Sequence, residues 1–371
     1  MTQVHYSFAR LQGRHLAVAC VAALALITSA CTSGSPDPAT NAVPATTAPV
    51  SSAAETTAPP ETAAPETPTT TTAPEVAEVA APHVLDTIDA DFEGALLGVS
   101  TGLSRAERAP RFAQLESDAG RQLDIGHVFH SWDTAIPTVD DLLHIEEGRT
   151  LMISWNGTDT REISSGLHDD WIRTQATAVR DLEDPVLLRW LWEMDGNRRR
   201  DWVYSGADYV AAWNQVRSVF DEVGADNAQF VWCPNEFLFW DDSTENPDDW
   251  YPGDENVDWL CADGYNWPTS VDSPEWITID AIFEDFVEWS APRNLPIIIG
   301  ETGSAEAEPG AKADWLRSVP ELLRDELPEV DAVVYFDKDF REFGHNDWRV
   351  DTSQETYDAW VELANHPYFN N

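Results

Sequence analysis

Short apolar runs punctuate the chain at residues 95–100, 125–129, 151–155, 186–191, 228–232, 259–264, 296–300 and 332–336. Each is nearly continuous in its apolarity rather than alternating, the pattern of a strand covered on both faces in a parallel sheet. Helical periodicity fills several of the intervals. Tyr209, Trp213, Val216 and Phe220 recur three or four positions apart; Ile279, Phe283, Phe286 and Val287 form a second stripe, and Ala313, Leu316, Leu322 and Leu323 a third. Such spacing puts each set on one side of a helix. Eight strand–helix units in succession predict an α/β fold, a (β/α)8 TIM barrel, over residues 83–371. An open doubly wound sheet is the competing architecture. It is disfavoured because Gly98 and Gly102, at the first run, lack the spacing of a dinucleotide-binding loop.

The chain before this domain reads differently. Arg10, Arg14 and His15 precede an apolar run at 16–27 that is too short and wrongly flanked for a membrane span, so residues 1–30 read as a signal peptide. The run ends in Ile27-Thr28-Ser29-Ala30-Cys31, which resembles a bacterial lipobox with Cys31 as the lipidation site; cleavage near Ala30 and plain secretion is the other reading. Either route exports the mature chain, to the cell surface on a lipid anchor or into the medium. Residues 31–82 are dominated by Ala, Thr, Pro, Ser and Glu and hold no aromatic or basic residue. They cannot bury enough apolar surface to offset their ordering entropy and read as a disordered, semi-rigid linker. Inside the domain only Cys233 and Cys261 remain, and both a disulfide and two buried thiols stay open.

Charge narrows the partners. Twenty-two Lys and Arg stand against 66 Asp and Glu, a net charge of −44. So acidic a surface does not hold a nucleic-acid backbone, and it meets a membrane only through the N-terminal lipid. The domain is expected to act as a monomer without a cofactor or metal, the acidic loop Asp241-Asp242…Glu245 reading as a solvated surface. The 17 tryptophans ask for a reason. Sugar rings stack their C–H faces on aromatic planes, so a glycan cleft is one.

In a barrel of this kind the active site lies at the C-terminal ends of the strands. Glu193 follows the fourth run and Glu301 the seventh. Two carboxyls facing each other across a barrel mouth are what hydrolysis of an acetal needs: one protonates the leaving oxygen while the other attacks or activates water. Glu236, Asp263 and Asp337 also follow strands, but an acid near a strand end more often serves structure.

Five ordered segments carry a family resemblance. They are Leu97-Gly98-Val99; Leu188-Arg189 with Glu193-Met194-Asp195-Gly196; Ala225-Asp226-Asn227 with Val231-Trp232-Cys233-Pro234-Asn235; Asp258-Trp259 with Asp263-Gly264-Tyr265-Asn266; and Pro296-Ile297-Ile298-Ile299-Gly300-Glu301-Thr302-Gly303. Together they resemble glycoside hydrolase family 26, barrels that cleave β-mannans, mixed-linkage β-glucans or β-1,3-xylans with retention. The resemblance implies Glu193 as general acid/base, Glu301 as nucleophile and Tyr265 as the nucleophile's hydrogen-bond donor. It implies a β-linked polysaccharide or oligosaccharide as substrate, with Arg189, Asn235 and Trp192 in the subsites. Trp132, Trp155 and Trp267, with Trp232 and Trp240, are candidate stacking platforms, and His130 a candidate for a sugar hydroxyl. The chain departs from the mannan-cleaving pattern at Trp192, where His is usual, at Asp195, where Asn is usual, and in the basic run Arg198-Arg199-Arg200. An endo-β-glycosidase of mannan or a related β-glycan is the leading expectation, and a catalytically weak surface glycan-binding lipoprotein the alternative.

Overall fold

The computed structural model describes Leu85 and residues 94–101, 105–196, 200–267, 276–343 and 346–370. The signal peptide, Cys31, the 31–82 linker, Arg198 and Arg199 lie outside the described residues. Within them, eight parallel strands close into a barrel in chain order: β1 Leu96–Thr101, β2 Ile125–His130, β3 Thr150–Trp155, β4 Val186–Trp190, β5 Ala228–Trp232, β6 Trp259–Asn266, β7 Ile297–Ser304 and β8 Val330–Asp337. β8 returns to β1 in register from Leu96 against Ala332 to Thr101 against Asp337.

All eight apolar runs are strands, and the three helical stripes face inward. Tyr209, Trp213, Val216 and Phe220 are buried on the helix Gly206–Val223, whose first turn is capped by the Ser205 hydroxyl accepting from the Asp208 amide. Ile279, Phe283, Phe286 and Val287 are buried on the helix Ile279–Ser290, and Ala313, Leu316 and Leu323 on the helix Ala311–Glu326.

Strand parity divides the core. Side chains alternate between the barrel interior and the helix layer. Ile125, Met152, Leu187, Val231, Cys261, Ile298, Ala332 and Val334 form an apolar layer inside the barrel. Two residues further along four of these strands, towards the mouth, the inward series turns polar, at His127, Ser154, Arg189 and Asp263. Cys233 and Cys261 are joined as a disulfide across neighbouring strands, which resolves the open question of their state.

Strands β6, β7 and β8 run past their apolar stretches, to Asn266, Ser304 and Asp337. On β6 and β7 the inward Asp263 and Glu301 interrupt the apolar pattern before the strand ends.

Candidate active site

Arg189 organises the mouth. It is fully buried on β4. Its Nη1 lies 2.6 and 2.7 Å from the two oxygens of Asp263, its Nη2 donates to Oε1 of Glu301, and its Nε donates to the Ser154 hydroxyl at 2.6 Å. That hydroxyl lies 2.6 Å from Nε2 of His127. Ser154 accepts from Arg189 and shares a second hydrogen bond with the His127 imidazole, linking the ring to the guanidinium. Burial and the neighbouring cations hold the His127 pKa well below its ordinary value, so the ring stays neutral.

Glu301 reaches this network through an irregularity in β7. Ala262 pairs with Ile299, yet Asp263 pairs with Glu301, so one residue is inserted at Gly300. The insertion flips the parity, turning Glu301 inward beside Asp263. Gly300 is required for another reason. A Cβ there would collide with the Cys261 sulfur and come within 2.9 Å of both Arg189 Nη1 and Asp263 Oδ1. Glycine lets the strand pass the buried ion pair. The second oxygen of Glu301 accepts from the Tyr265 phenol at 2.7 Å.

Glu193 sits three residues beyond β4 on a strained turn. Leu191 and Glu193 both have φ of +48°, a region that non-glycine residues rarely occupy outside functional sites. The turn is tied down from β5: the Glu193 amide donates to the Cys233 carbonyl at 2.7 Å, and Asp195 accepts from the Asn235 amide at 3.1 Å and its Nδ2 at 3.0 Å. Burial pushes the Asp195 carboxyl up to about 6, against the pull of the Asn235 donors.

The chemistry follows from proximity. Carboxylate oxygens of Glu193, Asp263 and Glu301 lie within 4.8 Å of one another. Burial, then repulsion from Glu301 and Glu193, raises the Asp263 pKa above the ordinary carboxylate range, with Arg189 opposing the shift. A divalent ion would find its place between Asp263 and Glu301 already taken by a guanidinium. The close approach of Glu193 and Glu301 suits a retaining pair, whose carboxyls stand about 5–5.5 Å apart, rather than an inverting pair separated by about 6.5–9.5 Å.

With the geometry in place, the relatives can be compared. The glycosyl hydrolase family 26 model matches residues 146–295. Endoglucanase H of Acetivibrio thermocellus is 31% identical over 290 residues, covering 72% of this chain and 30% of that protein. The barrel is a family 26 glycoside hydrolase domain. Beta-1,3-xylanase TXYA of a Vibrio species is 27% identical over 156 residues, covering 40% of this chain and 30% of its own length. The chain thus spans about 30% of the length of these curated relatives. Among solved structures, a Bacteroides ovatus β-mannanase of family 26 superposes with a TM-score of 0.53 at 16% identity, over 74% of this chain and 90% of that one. A Cellulomonas fimi endo-β-1,4-mannanase double mutant gives 0.54 at 16%, over 74% and 71%. At that identity both speak for the fold alone.

The remaining sequence candidates divide around this family 26 site. Trp192 and Trp267 are half-buried at the mouth: Trp192 meets Phe129 edge-on at 5.2 Å, and Trp267 packs against Tyr265 and Trp348. Trp132 is also half-buried, stacked on Trp155 at 4.7 Å. Trp155 and Trp232 belong to the outward series of β3 and β5 and have no exposed surface, so they pack against the helix layer. Arg189 touches Glu301 and is likewise closed to solvent. The His130 Nε2 is engaged by Asp141 at 2.8 Å. Asp263, read from the sequence as an acid that more often serves structure, joins the site, as do Ser154, His127 and Lys338, which the sequence reading does not single out; a lysine one residue past β8 is a visible signal for the last.

Proposed function

We propose that this chain is an extracellular retaining endo-β-glycosidase acting on β-mannan or a related β-glycan by double displacement. The carrying observation is the pair Glu193 and Glu301, with carboxylate oxygens within 4.8 Å. Glu193 protonates the glycosidic oxygen as Glu301 attacks the anomeric carbon, giving a covalent glycosyl–enzyme. Glu193 then takes a proton from water, which attacks the same carbon and releases the sugar with its β configuration kept. Tyr265 and Arg189 each donate to one oxygen of Glu301, which orients the carboxylate towards the mouth. The clustered aromatics of the mouth offer faces for sugar rings.

The named activities of the relatives weigh on the substrate. The relative that matches over most of the domain is called an endoglucanase and another a β-1,3-xylanase. Trp192 replaces the histidine usual in mannan-cleaving members. Both facts support a β-glucan as strongly as a mannan. Export by the leader, with Cys31 as a lipid anchor, would bring the domain to polymers that cannot enter the cell.

The test is reducing-sugar release by residues 83–371 from galactomannan, glucomannan, mixed-linkage β-glucan, β-1,3-xylan and laminarin. Cleavage of at least one polymer, abolished in Glu301→Ala, is the expected result. Equal rates for the wild type, Glu193→Ala and Glu301→Ala would refute the assignment, and binding without any release would favour a glycan-binding role.

A further inference from the structure

The inward series of β8 continues past the strand. Ala332 and Val334 belong to the apolar layer inside the barrel, Phe336 joins the aromatic cluster at the mouth, and Lys338 follows two residues on. The Lys338 carbonyl accepts from the Trp348 amide at 2.8 Å, and Trp348 packs behind Tyr265, so the backbone here is fixed to the nucleophile's own support. The Lys338 Nζ lies 3.7 Å from the centroid of the Phe129 ring and 4.4 Å from that of Phe336. On Phe129 it is joined by the Arg189 guanidinium at 5.6 Å.

What distinguishes this ammonium is its lack of an acceptor. The residue is 7% exposed, and among the described residues its three N–H groups reach no hydrogen-bonding oxygen; the side chain is buried along its length while Nζ itself still meets solvent at the mouth. Lys312, the other lysine of the chain, is also buried but donates to the carbonyls of Asp347 at 2.9 Å and Arg349 at 2.7 Å. Buried donors are almost always paired, and an aromatic face recovers only part of what is lost on leaving water. Desolvation lowers the Lys338 pKa to about 7, while Glu301 is the carboxylate that most opposes the shift. The Phe129–Phe336 platform that carries the ammonium adjoins Tyr265 and Arg189, the two donors to Glu301, so it stands on the Glu301 side of the mouth.

We propose that Lys338 is a substrate-binding and specificity-determining residue, its ammonium donating from the Phe129–Phe336 platform to hydroxyl oxygens of the glycone sugar held at Glu301. The proposal rests on the glycosidase reading and deepens it. A site built to hydrogen-bond a particular hydroxyl rejects sugars that cannot supply it, because the buried donor is then left unmet. A lysine acting through substrate is a burden to the empty protein, and this separates the proposal from a structural role.

The experiment compares wild type, Lys338→Met, Lys338→Arg and Glu301→Ala on the same five polymers, with thermal melts of each. Lys338→Met is expected to raise KM tenfold or more on the preferred polymer, with kcat changed less than threefold, and to melt no lower than wild type. Lys338→Arg should recover part of the loss. An unchanged KM, or a lowered melting temperature with a matching fall in kcat, overturns the proposal. If no polymer is cleaved, the glycosidase reading fails at the wild type. Affinity electrophoresis in the same polymers then decides this proposal alone: retardation of the wild type that weakens in Lys338→Met supports it, and equal retardation, or none, overturns it.

Discussion

Tyr265 and Glu301 are joined by a hydrogen bond of 2.7 Å from phenol to Oε2, while Arg189 holds the other oxygen. Among the described residues, each carboxylate oxygen of Glu301 thus has one donor, and the two donors come from different strands. Burial and the surrounding carboxylates hold the Tyr265 pKa well above its ordinary value, so the phenol remains a donor at any working pH. A charge-assisted bond of this kind contributes about 1.5–3 kcal/mol. Tyr265→Phe should therefore lower kcat by roughly 10- to 100-fold. Steady-state kinetics would measure this, with an unchanged near-ultraviolet circular dichroism spectrum to show an intact fold.

Arg189 offers a stability test. Its guanidinium is the cation bound directly to both Asp263 and Glu301, and all three are buried. Removing one partner of a buried ion pair costs about 3–5 kcal/mol because the other charge is left uncompensated. For a domain of this size that is a fall of roughly 6–15 °C in melting temperature, read by calorimetry on Arg189→Met. Ser154→Ala should cost less, about 1 kcal/mol, since it deletes one neutral group from the chain that runs to His127.

Much of this architecture was legible in the sequence, and the reason is local. A strand buried on both faces must be apolar throughout, so all eight strands announced themselves; the helices did so through their buried stripes. Glu193 and Glu301 were legible because their segments match a family pattern. The contacts that make them a site were not. Arg189 meets Glu301 across 112 residues of sequence, a contact made only when the barrel closes. The insertion at Gly300 that turns Glu301 inward leaves no mark in the apolar pattern. Trp155 lies in the strand rather than past it, and strand parity sends it outward, away from any sugar. The position of Lys338 one residue past β8 is visible in the sequence, but its missing acceptor appears only in the structure.

Glu236 should make stability depend on pH. Burial pushes its carboxyl to about 8, and the nearby Asp195 and Glu193 charges add to the rise. The folded state then binds this proton more tightly than the unfolded chain. Its contribution is fully present below about pH 4.5 and is lost as pH rises through about 8. Glu236→Gln, which cannot ionise, should melt near the wild type at pH 4 and progressively above it towards pH 9. A difference independent of pH would remove Glu236 as the cause.

The Cys233–Cys261 disulfide closes a loop of 28 residues beneath the ion-pair network. Cross-linking a loop of that length stabilises by about 3–4 kcal/mol in the chain-entropy model. Urea unfolding of Cys233→Ala/Cys261→Ala should give a lower midpoint with a similar slope. The same titration of the wild type with and without reductant checks that the bond is the cause.

The central claim is double displacement by Glu193 and Glu301, and the anomeric configuration of the first product tests it most directly. Proton NMR during early hydrolysis of the preferred polymer resolves the two anomers before they equilibrate. A β anomer appearing first, with α growing only by mutarotation, is the expected result for carboxylate oxygens within 4.8 Å. An α anomer appearing first would mean that water, not Glu301, attacks the sugar, and would contradict the account.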